Sequence, residues 1–171
     1  MMVAIAIMVG SFRQTVIYWV GQTLQADLFV STARRSPVGD RAGVSEAGER
    51  IIAAHPAVVA VDGGAVTDVR YDDTVVVVGS GRFDVLLDHG GLLFKAPADG
   101  RAAMATAIGV DAVVVSESFA LKHGKGVGDA VELPTPTGPA SFRVAAVYFD
   151  YSNDRGLVMM DRPTLARHYE A

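Results

Sequence analysis

A glycine-rich segment at 124–128, Gly-Lys-Gly-Val-Gly, is the first stretch whose residue types could bind a ligand. Backbone N–H groups of such loops hold phosphates when a lysine and a helix N-terminus follow at fixed spacing. That pattern requires four residues between the first glycine and a Gly-Lys-Ser or Gly-Lys-Thr ending, and the segment lacks it. Residues 129–133 also favour a strand where the phosphate-binding helix should begin. The sequence therefore predicts a tight turn here and no nucleotide site.

Two serines are candidate nucleophiles of a hydrolase. Ser80 lies between two glycines, but the Gly-x-Ser-x-Gly spacing that places a nucleophile on a strained turn is absent. Ser116 precedes Glu117, and its position suits a helix cap as well as it suits chemistry. The histidines that could act as general bases are His55, His89, His123 and His168. A membrane-anchored serine hydrolase using Ser116 or Ser80 is one alternative function, although no motif joins these residues.

Polar residues near the C-terminus have the composition of a cation site but not its order. They are Asp150, Asn153, Asp154 and Asp161. The ligands of a calcium loop alternate along the chain and are followed by glycine, which these residues do not do. Arg155 stands where the cation would be, so we expect a polar turn in which Arg155 pairs with a neighbouring carboxylate. The isolated histidines do not form a zinc motif. We therefore predict no catalytic residue, no cofactor and no metal site.

The overall composition excludes further classes of function. The 171 residues carry 15 basic and 19 acidic side chains, a formal net charge of −4, and neither sign forms a long block. A nucleic-acid backbone would require a basic stripe, so we predict no nucleic-acid partner. Cysteine is absent, which excludes disulfides, thiolate metal sites and a cysteine nucleophile.

The first nine residues carry neither a charge nor a hydrogen-bonding side chain. A membrane-spanning helix needs about 20 apolar residues, so nine cover less than half of a span. No basic region precedes them and no small-residue cleavage site follows, which argues against a signal peptide. The pattern continues as an amphipathic helix in which Tyr18 and Trp19 suit a headgroup boundary. We predict one helix over 1–25, the outer end of a transmembrane helix, with 1–9 unpacked; the alternative is an amphipathic helix on a soluble core.

The rest of the chain predicts an α+β fold. A mixed α/β lobe of 26–110 and 149–171 is expected to hold a smaller β-rich inserted lobe at 111–148, because hairpin signals become closely spaced after Gly109. In the first part of the chain the predicted elements are a strand at 26–33, a helix after Ser45 that stops at His55-Pro56, strands within 58–87 interrupted at 79–81, an irregular segment at 88–100, and a helix at 101–108. In the second part they are a strand at 111–116 with a helical turn to 121, a hairpin of 130–133 and 141–147, a strand at 157–160, and a helix from Pro163.

Several segments, taken in order, carry a resemblance to a known family. They are 1–24 running into Ala-Asp-Leu at 26–28, His-Pro-Ala-Val-Val-Ala-Val at 55–61, 115–120 and 128–133, Val-Ala-Ala-Val-Tyr-Phe-Asp-Tyr at 144–151, and 154–162. The sequence resembles the extracytoplasmic domain of FtsX/MacB-type ABC transporter permeases. The likeness lies in the order of many loose motifs and covers nearly the whole chain.

The resemblance implies a function as well as a fold. A domain of this family has no catalytic residues of its own and transmits ATP-driven motion across the membrane to an exported substrate or an outer partner. Implied partners are a cytoplasmic ATP-binding subunit, a second copy of the permease or a homologous permease, and the membrane. The implied location is the cell membrane, with the folded domain extracytoplasmic, and the chain is expected to be a fragment of the permease. The remaining alternatives are the serine hydrolase and a soluble ligand-binding or adaptor module.

Overall fold

A computed structural model describes residues 2–23, 26–31, 44–150 and 153–170 of the chain. Its helices are α1 (Met2–Thr23), α2 (Glu46–Ala53), α3 (Phe83–His89), α4 (Gly100–Ala105), α5 (Glu117–His123) and α6 (Arg162–Tyr169). Its strands are β1 (Val66–Tyr71), β2 (Thr74–Gly81), β3 (Phe94–Ala96), β4 (Ala112–Ser116), β5 (Ala130–Thr135), β6 (Gly138–Tyr148) and β7 (Leu157–Asp161). The fold is mixed α/β, as the sequence predicts.

The described strands form one mixed sheet. Its order is β1-β2-β7-β4-β6-β3, and β5 pairs with β6 beside this path. Strand β2 runs parallel to β7, and β4 runs parallel to β6, whereas β4 and β7 are antiparallel. The two antiparallel hairpins β1–β2 and β5–β6 join sequence neighbours, and the other pairings are long-range. The sheet therefore depends on contacts that no local sequence signal specifies.

Strand β4 lies at the centre of the sheet and separates two hydrophobic clusters. Its five residues are all buried, since β7 and β6 flank it and side chains pack on both faces. Val113 and Val115 join a cluster with Phe119 and Phe142, whereas Val114 points to the opposite face among the cluster of Phe83 and Met104. This alternation is the period-two geometry of a strand. Each face of the sheet is thus covered by part of the core.

Local capping signals fix the starts of two helices. The Ser45 hydroxyl accepts the N–H of Gly48 at 3.2 Å and caps α2, as predicted. The Ser116 hydroxyl accepts the N–H of Phe119 at 3.2 Å and caps α5. Helix α5 ends at Gly124, whose φ of 61° is the left-handed conformation that glycine adopts at low cost. The predicted glycine-rich turn at 124–128 is therefore confirmed.

The sheet corrects the prediction for 111–148. We expected its strands to form a separate β-rich lobe, but β4 pairs with β7, which in turn pairs with β2. The strands of 111–148 therefore lie in the same sheet as β2. Hairpin signals report which sequence neighbours pair, and they carry no information on which strands meet at long range. The predicted boundaries at residues 25, 110 and 148 remain a prediction.

Four local predictions also differ from the structure. The segment at 88–100, expected to be irregular, contains β3 at Phe94–Ala96. Residues 26–31 have no regular secondary structure where a strand over 26–33 was expected, and 32–33 lie outside the described residues. Residues 79–81 continue β2 and do not break it. The glycines let neighbouring side chains pack closely, since a Cβ on Gly81 would lie 3.0 Å from Leu86 Cδ1. The end of the predicted strand region forms α3, whose apolar residues recur at helical spacing.

Candidate functional site

Helix α1 presents an apolar surface that the rest of the described chain does not cover. Each side chain from Ile5 to Ile17 is exposed. The large apolar ones among the first eight of these are Ile5, Ile7, Met8, Val9 and Phe12, with exposed fractions between 55% and 71%. Because successive residues of a helix turn by about 100°, the apolar side chains of the consecutive residues 5–9 point to all sides of it. The prediction of one helix with its N-terminal residues unpacked is confirmed for these described residues.

The continuity of α1 does not by itself show that the helix spans a membrane. Among the described residues, no helix combines the length and the apolar character needed to cross a bilayer. The 22 residues of α1 form one uninterrupted helix. Neither Gly10 nor Gly21 would bring a Cβ within 4 Å of a neighbouring atom, so the helix stands clear of other elements at both positions.

The candidate nucleophile Ser116 has a structural role. Its side chain is fully buried, and its hydroxyl accepts the N–H of Leu157 at 2.9 Å as well as that of Phe119. The same oxygen lies 2.9 Å from the hydroxyl of Ser118. The hydroxyl of Ser116 thus ties the end of β4 to the start of β7 and to α5. A buried hydroxyl with these partners has no free approach for a substrate.

The second candidate, Ser80, and two of the histidines, His55 and His168, are also bound elsewhere. The hydroxyl of Ser80 accepts the N–H of Ala65 at 3.1 Å. His55 accepts the N–H of Ala57 within its own turn, and His168 lies 2.8 Å from Asp111. Within the described residues, no hydrogen bond joins a serine to a histidine. The structure does not bring the predicted hydrolase candidates together.

His123 is held between two aromatic rings. Its ring centroid lies 4.7 Å from those of both Tyr71 and Phe119, and its Nδ1 lies 3.5 Å from a carboxylate oxygen of Asp72. Its Nε2 is buried without a hydrogen-bond partner. Asp72 belongs to the β1–β2 turn, where it adopts a positive φ of 51°. His123 therefore packs α5 against this turn.

The acidic residues near the C-terminus are dispersed. Arg155 pairs with Asp68 of β1 at 3.2 Å, a carboxylate 87 positions away and outside the turn in which the pairing was expected. Asn153 accepts the N–H of Arg155 at 2.9 Å, whereas Asp161 is buried at the end of β7. Across residues 2–23, 26–31, 44–150 and 153–170, no group of three or more His, Asp or Glu side chains is placed to hold a metal ion.

Two further carboxylates anchor elements through hydrogen bonds that the sequence did not reveal. Asp161 accepts the N–H groups of Phe83 and Gly109 at 3.0 and 2.8 Å. Asp111 lies 2.8 Å from His168 and 2.7 Å from Arg167, and these hydrogen bonds lower its pKa below the ordinary value. Basic residues in the last turn of a helix are a local signal, but their partner lies more than fifty positions away.

Burial also shifts tyrosine ionisation. Burial of Tyr148 at the end of β6 raises its pKa well above the ordinary value, and the neighbouring Asp150 adds to the rise. Burial raises the pKa of Tyr169 to about 12, and its hydroxyl donates to the backbone oxygen of Pro134. Both phenols therefore stay protonated at physiological pH. They pack and donate hydrogen bonds, and they do not supply a base.

A shallow groove of about 860 Å³ lies between β1 and the β5–β6 hairpin. Its charged lining residues are Arg70, Asp72, Lys125 and Glu132. Two are basic and two acidic, so the groove favours neither anions nor cations. Lys125 is engaged, since its Nζ donates to the backbone oxygen of Ala130 at 2.9 Å.

Comparison with known proteins agrees with the fold. The profile of the MacB-like periplasmic core domain matches residues 1–170. An uncharacterized ABC transporter permease protein of Mycobacterium tuberculosis, Rv0987, is 27% identical over 182 residues. The match covers 99% of this chain but 20% of that protein, so the chain spans about a fifth of the relative's length. The extracellular domain of the ABC-type transporter YknZ from Gram-positive bacteria matches with a TM-score of 0.50 and 16% identity, over 69% of this chain and 62% of that one.

The fold and the bound candidate side chains describe a mixed α/β domain whose polar groups mainly hold its own elements together. The match over residues 1–170 then establishes the family: the chain belongs to the MacB-like periplasmic core domains, the extracytoplasmic domains of ABC transporter permeases.

Proposed function

We propose that this domain transmits ATP-driven motion from a membrane helix to an exported substrate or an outer partner, without catalysis of its own. The observation that carries the proposal is α1, a single helix of 22 residues in which the apolar side chains from Ile5 to Val9 are exposed. At about 1.5 Å per residue it extends roughly 33 Å. We infer that its N-terminal part is the outer end of a transmembrane helix and that the folded domain lies outside the membrane.

A continuous helix can act as a lever because its backbone hydrogen bonds are satisfied internally and its rise per residue is fixed. A displacement of the membrane end of α1 then also displaces Thr23, the last residue of the helix. Gly10 and Gly21 are the positions where the helix would bend most readily, since glycine is the weakest ordinary helix former. A rigid-body shift of the outer domain needs only a few flexible residues at the junction.

The body that receives this motion is well suited to move as a unit. Strand β4 is buried on both faces at the centre of the single sheet. Asp161 joins β7 to α3 and to the loop before β4 through two hydrogen bonds to backbone N–H groups. Interiors packed in this way transmit displacement instead of absorbing it.

The proposal requires partners that this chain does not contain. ATP hydrolysis would come from a cytoplasmic ATP-binding subunit, and a second copy of the permease or a homologous permease would complete the transporter. The domain itself would contribute no turnover, in keeping with the buried hydroxyl of Ser116 and with the bond of the Ser80 hydroxyl to Ala65.

The test is an insertion that alters stiffness at one point. In the full-length permease, a flexible Gly-Ser segment placed after Thr23 should uncouple export from ATP hydrolysis, because such a linker transmits neither angle nor displacement. The matched control is a helix-forming insertion of the same length at the same site, which keeps the connection semi-rigid. A second control places the Gly-Ser segment in the β5–β6 turn after Thr137. Unchanged export per ATP after the insertion behind Thr23 would contradict the lever.

A further inference from the structure

Helix α1 contains a single charged residue, Arg13. Its side chain is exposed, and it forms no ion pair with any residue that the structure describes. Arginine lowers the amphipathic character of a helix when it lies on the apolar side. Arg13 lies there, four residues after Val9 and seven before Val20, positions that share one face of a helix. The described residues of the domain offer no ion-pair partner for Arg13, so we expect its partner to lie outside the domain.

The surface of α1 changes character close to Arg13. Before it, exposed apolar side chains surround the helix from Ile5 to Val9. After Gly10 one side becomes polar, with Ser11, Gln14 and Thr15 placed together. A helix that is apolar all round requires an apolar medium on every side, whereas an amphipathic one suits a boundary. Such a change is the pattern expected of a helix that passes from hydrocarbon into water.

We infer that Arg13 binds the phosphate groups of anionic phospholipids in the extracytoplasmic leaflet. The guanidinium matches phosphate geometry with two parallel N–H donors, and its long stem can follow the apolar face of α1 to reach the headgroups. This places Ile5 to Phe12 in the hydrocarbon layer. Trp19 then lies six residues, roughly 9 Å, further out, which is comparable to the thickness of one headgroup layer. The inference rests on the proposed membrane placement of α1.

The first experiment measures binding of the 171-residue chain to vesicles of phosphatidylcholine with phosphatidylglycerol and of phosphatidylcholine alone. Arg13→Gln should lower the partition coefficient for the anionic vesicles about fivefold, since one arginine near an anionic surface contributes roughly that factor. The decrease in partition coefficient caused by Arg13→Gln should be smaller for vesicles of pure phosphatidylcholine. Free inorganic phosphate should not compete with binding to the anionic vesicles. Arg70→Gln is the matched control, because Arg70 is also exposed and forms no ion pair with a described residue.

Several outcomes of this experiment would overturn the inference. They are absence of vesicle binding, equal binding by Arg13→Gln and the unaltered chain, an equal loss in Arg70→Gln, and competition by inorganic phosphate. Each would remove the lipid phosphate as the partner of Arg13.

The second experiment measures depth. The chain has no cysteine, so single replacements give unique labelling sites. Met8 and Ile17 are matched, with exposed fractions of 65% and 57% in the isolated domain. With vesicles present, Met8→Cys should be protected from a membrane-impermeant maleimide while Ile17→Cys stays reactive. Equal labelling of the two variants would overturn the inference. A disulfide dimer through Met8→Cys that forms in air as readily with vesicles as without them would also overturn it and would favour a second copy as the partner of α1. Neither labelling result depends on transport. Failure of the lever in the export assay can therefore be distinguished from failure of the inference about Arg13.

Discussion

Asp161 and Phe83 are 78 positions apart in sequence, yet a carboxylate oxygen of Asp161 accepts the backbone N–H of Phe83 at 3.0 Å. The other carboxylate oxygen accepts the N–H of Gly109 at 2.8 Å, and the side chain is buried. One carboxylate therefore holds the end of β7, the first residue of α3 and the segment before β4. This junction lies at the start of α6, the last described helix.

The first prediction concerns this junction. Asp161→Ala should lower the free energy of unfolding by roughly 2–4 kcal/mol, because two N–H groups lose their acceptor and at least one of them stays buried. Asp161→Asn should cost less, since its amide oxygen still accepts one of the two bonds. Urea denaturation of the purified chain measures both. Asp88→Ala removes an exposed carboxylate of α3 and is the control, for which we expect little change in the free energy of unfolding. A loss in Asp161→Ala as small as that in Asp88→Ala would contradict the role of Asp161 as an anchor for these N–H groups.

The second prediction compares two glycines of similar backbone conformation. Gly156 and Gly128 have φ of 101° and 92°, where other residues are strained. A Cβ on Gly156 would lie 3.1 Å from the Cα of Phe119, whereas one on Gly128 meets open space. Both alanine variants should lose stability, and Gly156→Ala should lose more, by about 1 kcal/mol or above, because it adds overpacking to strain. Equal losses in thermal unfolding would show that the contact with Phe119 relaxes freely.

Features encoded by neighbouring residues were predictable from the sequence. Ser45 and Ser116 cap helices because a hydroxyl reaches an N–H three residues ahead, which is a short-range interaction. The glycine turn after α5 and the β5–β6 hairpin follow from similarly local signals. The strand predicted at 111–116 is likewise present as β4.

Features that depend on distant partners were not predictable in the same way. Nothing near β4 indicates that it lies between β7 and β6, so the predicted separate sheet for 111–148 was wrong. Residues 83–87 belong to the region predicted to favour strands and 88–89 to the segment predicted to be irregular, but together they form α3, whose first N–H is bound by the distant Asp161. The sequence predicted no cation site among the polar residues near Asp161, but it did not reveal that the carboxylate of Asp161 binds two backbone N–H groups. Membership of the domain family was accessible because it depends on the order of motifs along the whole chain.

The third prediction is a pH dependence at Asp111. Hydrogen bonds from His168 and Arg167 lower the pKa of Asp111 in the folded state. A lowered folded pKa means that this stabilisation is present above the unfolded value of about 3.9 and is lost as the pH falls through the folded pKa. The chain should therefore lose stability more steeply below about pH 4 than Asp111→Asn does. At neutral pH the variant should differ by less than about 1 kcal/mol, because the pair is half exposed. Parallel slopes in acid unfolding would contradict the assignment.

The fourth prediction separates a structural serine from a nucleophile. Ser116→Ala should lower the free energy of unfolding by roughly 1–3 kcal/mol, because the buried N–H groups of Phe119 and Leu157 lose their shared acceptor. Ser141→Ala, at an exposed position of β6, should leave stability nearly unchanged. We expect neither the unaltered chain nor these variants to hydrolyse nitrophenyl esters above the buffer rate, since the hydroxyl of Ser116 is buried and no described histidine is bonded to it. Turnover that is present in the unaltered chain, absent in Ser116→Ala and retained in Ser141→Ala would restore the hydrolase hypothesis.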